Sequence, residues 1–136
     1  MCSKLSFHFN RNDPNFKSNE IVVQKEPYIG HWFITTPIYD DSNVEIGYKA
    51  TDDYIQQVGE KKYLVRYNNT YYINGKGTIS WEYASINDLP NPYYPLGIVA
   101  KARITSATGE YVNVRGCVSL TPQADGKRDV VVSYKK

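Results

Sequence analysis

A chain of 136 residues with 41% hydrophobic content is the size of one domain, so residues 1–136 are read as a single unit with a sizeable core. The formal net charge of +2 comes from 16 basic and 14 acidic residues spread along the chain; without a positive stripe to follow a phosphate backbone, no nucleic-acid partner is expected. No 18-residue apolar run and no apolar leader core are present, and Cys2 and Cys117 follow no redox or metal-ligand spacing, so no membrane partner and a reduced, cytoplasmic location are expected.

Along the chain the apolar period is two. LSFHFN opens as a strand and runs into NRNDPNFKSN, expected as a long loop. IGHWFITTPIY and EIGYKATDDYIQQV follow, joined through Asp40-Asp41-Ser42-Asn43, which is turn chemistry between two strand-like runs. Gly59-Glu60-Lys61-Lys62 then leads into YLVRYNNTYYI, and Asn74-Gly75-Lys76-Gly77 into TISWEYASI, two further hairpin signals. NDLPNPYYPLG carries three prolines and reads as a second long loop, in which Tyr93 and Tyr94 form either a lid or inert packing. The run IVAKARITSA, the stretch ATGEYVNVRG with its two glycines, and CVSL make another strand pair. LTPQ and ADGKR interrupt the chain before DVVVSYKK. With 13 tyrosines and many β-branched residues this gives about eight antiparallel strands, an all-β sandwich or barrel.

Sharp catalytic motifs are missing. The sequence holds no G-x-S-x-G elbow, no phosphate loop, no dinucleotide fingerprint and no H-E-x-x-H. The two histidines, His8 and His31, lack a third ligand in reach of sequence spacing, so no metal and no cofactor are expected.

The order of elements resembles the allene oxide cyclase barrel family, which also takes in plant dirigent proteins and small cyclases of spirotetronate polyketides. The residues that carry the resemblance are IGHWFITTPIYDDSNVEIGYKATDDY, GKGTISWEYA and ATGEYVNVRG, with LSFHFNRND where the family's first strand lies. The resemblance implies a closed, antiparallel, calycin-like barrel of about eight strands, assembling as a homo-oligomer, dimer or trimer, with a small apolar organic ligand in its lumen. It also implies which residues face inward: His8 and Asn10 on the first strand, then Trp32, Ile34 and Thr36, then Thr51 and Asp53. Arg66, Asn68 and Thr70 follow, then Ile79, Trp81, Tyr83 and Ser85, with Ile98, Ala100, Ala102, Val118 and Leu120 closing the ring. His8, Asn10 and Asp53 are thereby the candidate catalytic groups. Trp32, Ile34, Thr36, Arg66, Asn68, Trp81, Tyr83 and Ser85 are the candidate ligand contacts.

The departures from the family bear on the chemistry. Plant allene oxide cyclases carry a glutamate and then an asparagine where this chain has His8 and Asn10. Their second asparagine, pocket cysteine and lumen tyrosine are replaced by Thr36, Asp53 and Ser85. The same epoxide cyclisation is therefore not expected.

Each candidate also has a plain structural reading. His8 is either an acid–base group or a hydrogen-bonded wall residue. Asp53 is either a ligand contact or one half of an ion pair with a nearby arginine. Trp81 and Tyr83 are either a stacking platform or core. Three functions stay open: a cofactor-independent cyclase or isomerase acting on an unsaturated lipid, polyketide or terpenoid-like substrate, a non-catalytic binding barrel, and a filled barrel with a structural role. The volume of the lumen separates the last from the other two.

Overall fold

The computed structural model describes residues 2–87 and 99–136. Tyr93, Tyr94 and Ile98 lie outside the described residues. Among the described residues nine strands run in chain order: β1 (Ser3–Asn10), β2 (Lys17–Lys25), β3 (Tyr28–Tyr39), β4 (Glu45–Gly59), β5 (Lys62–Ile73), β6 (Gly77–Asn87), β7 (Ala100–Ala107), β8 (Arg115–Pro122) and β9 (Lys127–Lys135). Only two single-turn 3-10 segments interrupt them among the described residues, Gly109–Tyr111 and Ala124–Gly126. The expected closed antiparallel barrel of eight strands is what forms, and one extra strand lies beside it.

The sheet runs β1-β9-β8-β7-β6-β5-β4-β3-β2, and β1 also pairs with β3, which closes the ring. β3 is long enough to serve two neighbours. Its end meets β1 at Tyr39, opposite His8, while its first part, Tyr28 to Thr35, carries β2. The extra strand, β2, begins inside the stretch expected to be loop, and all nine of its residues are exposed. A strand buried on neither face shows no clean alternation, which is why its sequence does not announce it.

The turns follow their residues. Asp40 Oδ1 accepts the backbone N–H of Ser42 and of Val44 at 2.9 and 3.0 Å, holding the β3–β4 turn. Gly77 and Gly109, both at positive φ, bring two turns against each other: a side chain on Gly77 would run into the Thr108 carbonyl, and one on Gly109 into the Lys76 carbonyl. The Glu110 N–H donates to the Lys76 carbonyl at 2.7 Å across this contact. Gly109, the first glycine of ATGEYVNVRG, thus locks the β7–β8 connection onto the β5–β6 hairpin at Gly77.

Inward residues from the strands fill one half of the barrel. Trp81 and Tyr71 are fully buried, and the Trp81 indole N–H donates to the Tyr71 hydroxyl at 3.0 Å. Phe7 meets the Tyr71 ring edge-on at 4.8 Å between centroids. Ile38, Ile79, Val118, Val130 and Val132 complete this layer. Each such side chain contributes about 1.5–3 kcal/mol by leaving water.

On two strands the inward set differs from the expected one. On β1 the buried residues are Phe7 and Phe9, so His8 and Asn10 point outward. On β5 the inward set is Val65, Asn69, Tyr71 and Ile73, which leaves Arg66 and Asn68 exposed on the outer wall. The physical reason is the same in both: a one-residue slip of parity exchanges the whole set, and the register that buries the aromatic and branched residues wins.

Candidate functional site

The other half of the lumen is not filled. A cavity of about 380 Å³ opens there, walled by Phe9, Trp32, Ile34, Ile55, Tyr67 and Leu120, with Arg11, Phe16, Ser18 and Tyr28 also lining it. Its buried polar groups are Lys49, Thr51 and Asp53 from β4, Asn69 from β5 and Arg128 from β9. The alternation of β4 puts Lys49, Thr51, Asp53 and Ile55 on one inner face, and its register with β5 sets Thr51 beside Asn69 and Asp53 beside Tyr67.

These polar side chains are incompletely matched by the protein. The Thr51 hydroxyl donates to Asn69 Oδ1 at 3.0 Å, which leaves the Asn69 amide nitrogen buried with no acceptor; Asp53 Oδ1 is buried with no donor. Polar atoms in this condition cost stability and are normally avoided. Burial raises the Asp53 carboxyl to about 6, although the charges of Lys49 and His31 pull it the other way. Burial likewise lowers the Lys49 ammonium to about 7, with Asp53 opposing that shift and Arg128 adding to it. The Lys49 Nζ lies 4.5 Å from the centre of the Phe9 ring, a cation–π contact.

Of the residues expected from sequence, the cavity brings together Trp32, Ile34 and Asp53. Thr36 is buried and donates to the Pro37 carbonyl at 3.2 Å; it pairs across from Lys49 but does not line the cavity. Trp81 belongs to the packed layer beneath, and Tyr83, tilted against it at 6.5 Å, shares its parity with Ser85; none of the three lines the cavity. His8 stacks on Tyr39 at 5.9 Å where the ring closes, and it borders an outer depression with Asn10, Asn43 and Lys127. Asn10 Oδ1 accepts the Asn12 N–H at 2.8 Å, a turn contact at the end of β1. Arg66 sits over the outer face of Tyr54 at 5.0 Å, and Asn68 is exposed. The polar side chains that share the cavity with Asp53 are therefore not His8 and Asn10 but include Lys49 and Asn69, both missed from sequence. Continuing the parity of Thr51 and Asp53 back by two residues would have found Lys49.

Comparison with known proteins gives a fold and no closer relation. No protein-family model matches the chain, and no curated protein matches its sequence. Among solved structures, a pyocyanin demethylase superposes with a TM-score of 0.67 at 14% identity, covering 98% of this chain and 100% of that one. A pterocarpan synthase dirigent protein gives 0.59 at 14% identity over 100% and 89%, and the exo-specific intermolecular Diels-Alderase AbnU gives 0.53 at 15% over 97% and 98%. The chain has the small barrel fold that these structures share, as its sequence resemblance implied.

Proposed function

We propose that this protein is a small-molecule-binding barrel that acts as a cofactor-independent cyclase or isomerase on an unsaturated substrate held in the open half of its lumen. The observation that carries this reading is the cavity of about 380 Å³ with two buried polar atoms, Asp53 Oδ1 and Asn69 Nδ2, that the protein leaves unmatched. That volume lies within the range of small-ligand sites, and its apolar walls with few convergent polar groups are the usual makeup of one. A ligand hydroxyl donating to Asp53 and a ligand carbonyl accepting from Asn69 would complete both. Asp53, with its carboxyl near neutrality, is placed to take a proton from one substrate position and return it to another. Walls that hold a flexible molecule in one folded shape add the gain of oriented intramolecular reaction, which reaches about 7–11 kcal/mol. The structures that share the fold include one described as a Diels-Alderase and one as a dirigent protein, which supports a role in shaping small molecules.

The test is native mass spectrometry of the purified protein for a retained compound, followed by turnover assays with wild type and Asp53→Asn on a panel of polyenes and enones. Retention or binding with turnover lost in Asp53→Asn supports the reading. Binding with no turnover in either leaves a carrier, and no binding at all points to a structural barrel.

A further inference from the structure

The charges around the cavity are lopsided. Arg11, Lys49 and Arg128 line it, against Asp53 as the one carboxylate among the described lining residues. Two of the three cations are inside the barrel: Lys49 is 5% exposed and Arg128 7%. They flank the same ring. Arg128 is the cross-strand partner of Phe9, and Lys49 lies over that ring at 4.5 Å. No described carboxylate lies within ion-pair distance of the Lys49 ammonium. An ammonium withdrawn from water without an anionic partner is unfavourable, and the cavity beside it has room for one.

Resting on the reading of the lumen as a small-molecule site, we propose that the molecule it takes is an organic acid, with its apolar body against Trp32 and Ile34 and its carboxylate received by Lys49 and Arg128. A carboxylate accepts from both groups at once, and such charge-assisted hydrogen bonds are about twice as strong as neutral ones. Arg11, exposed near the mouth, adds to the attraction that draws an anion inward. Asp53 stands against a second anionic group on the ligand, so the acid carries one charge, with a hydroxyl or neutral face toward Asp53.

The experiment is calorimetric titration of the full-length protein with trans-cinnamate, 1-naphthylacetate and 4-phenylbutyrate, each beside its primary amide, which keeps shape and removes charge. At least one acid is expected to bind about tenfold or more tighter than its amide. Lys49→Met brings that acid down to the amide's affinity while the amide itself shifts by less than about threefold. Arg128→Gln serves as a second variant if Lys49→Met does not fold by circular dichroism, and the acid–amide difference in wild type decides the matter without either. Amides binding as well as or better than acids overturn the charge assignment and leave the binding barrel standing. If neither acids nor amides bind at millimolar concentration, the lumen reading fails and takes this one with it.

Discussion

The indole of Trp32 lies across Gly30, two residues earlier on the inner face of β3, so closely that any side chain at Gly30 would collide with the six-membered ring. Gly30 is buried, and the missing Cβ is what lets the ring lie along the wall of the cavity.

Gly30→Ala is therefore expected to turn Trp32 off its rotamer at a cost of about 1–3 kcal/mol, the range for overpacking. Trp32 emission should shift and ligand affinity should fall, whereas Gly59→Ala, where a Cβ meets only ordinary contacts with Lys62, should do neither. Fluorescence spectra and urea melts of the two variants check this.

Stability should dip between pH 6 and 7. Asp53 has a folded value near 6, above the ordinary carboxylate value, so the folded protein keeps a proton that the unfolded chain has lost; stability from this group falls as pH rises toward 6. Lys49 has a folded value near 7, below the ordinary amine value, so above 7 the unfolded chain holds a proton the folded one lacks, and stability rises with pH. Urea midpoints from pH 4 to 9 should show this minimum. Lys49→Met should flatten the alkaline branch and raise the midpoint at pH 6.5, and Asp53→Asn should flatten the acid branch.

Trp81 should behave as core. Trp81→Ala is expected to cost about 3–5 kcal/mol, the range for deleting a buried aromatic. Tyr71→Phe, which leaves the indole N–H without its acceptor, should cost about 1–3 kcal/mol and leave ligand affinity alone. A binding defect in Tyr71→Phe at full stability would mean that the packed layer reaches the ligand.

His8→Ala removes the stack on Tyr39 and should cost about 0.5–1.5 kcal/mol without changing affinity or turnover. A loss of activity at unchanged stability would restore His8 to the chemistry despite its outward position.

We also propose that the outer wall mediates self-association. Tyr48 and Tyr72, 54% and 42% exposed, face each other across β4 and β5, and Phe33, 44% exposed, lies further along the same outer wall on β3; exposed apolar groups of this kind mark protein contacts. Light scattering on a gel-filtration column should give a multiple of 15.6 kDa at micromolar concentration, and Phe33→Ser with Tyr72→Ser should lower it. A 15.6 kDa particle for wild type would overturn this.

The barrel itself was legible because eight of its strands bury one face, and such strands write their burial as alternation. The alternation also held the right parity for β1 and β5: Leu5, Phe7, Phe9 and Val65, Tyr67, Tyr71, Ile73 are the apolar sets. Matching family motifs position by position set His8, Asn10, Arg66 and Asn68 inside instead, against that pattern. Trp32, Ile34 and Asp53 were placed in the lumen correctly, since on β3 and β4 motif and alternation agree. Lys49 and Arg128 were not, because a charged residue at an inward position looks like a breach of the pattern, and only the closed ring shows which breaches share a cavity. β2, exposed on both faces, had no burial to record.

The packed layer of Phe7, Tyr71 and Trp81 makes the lumen a cup and not a tunnel. Among the described residues this layer closes one end, so a ligand of the proposed kind would enter and leave by the same rim. A long ligand would then present one terminus to Asp53 and Lys49, with the remainder trailing into solvent.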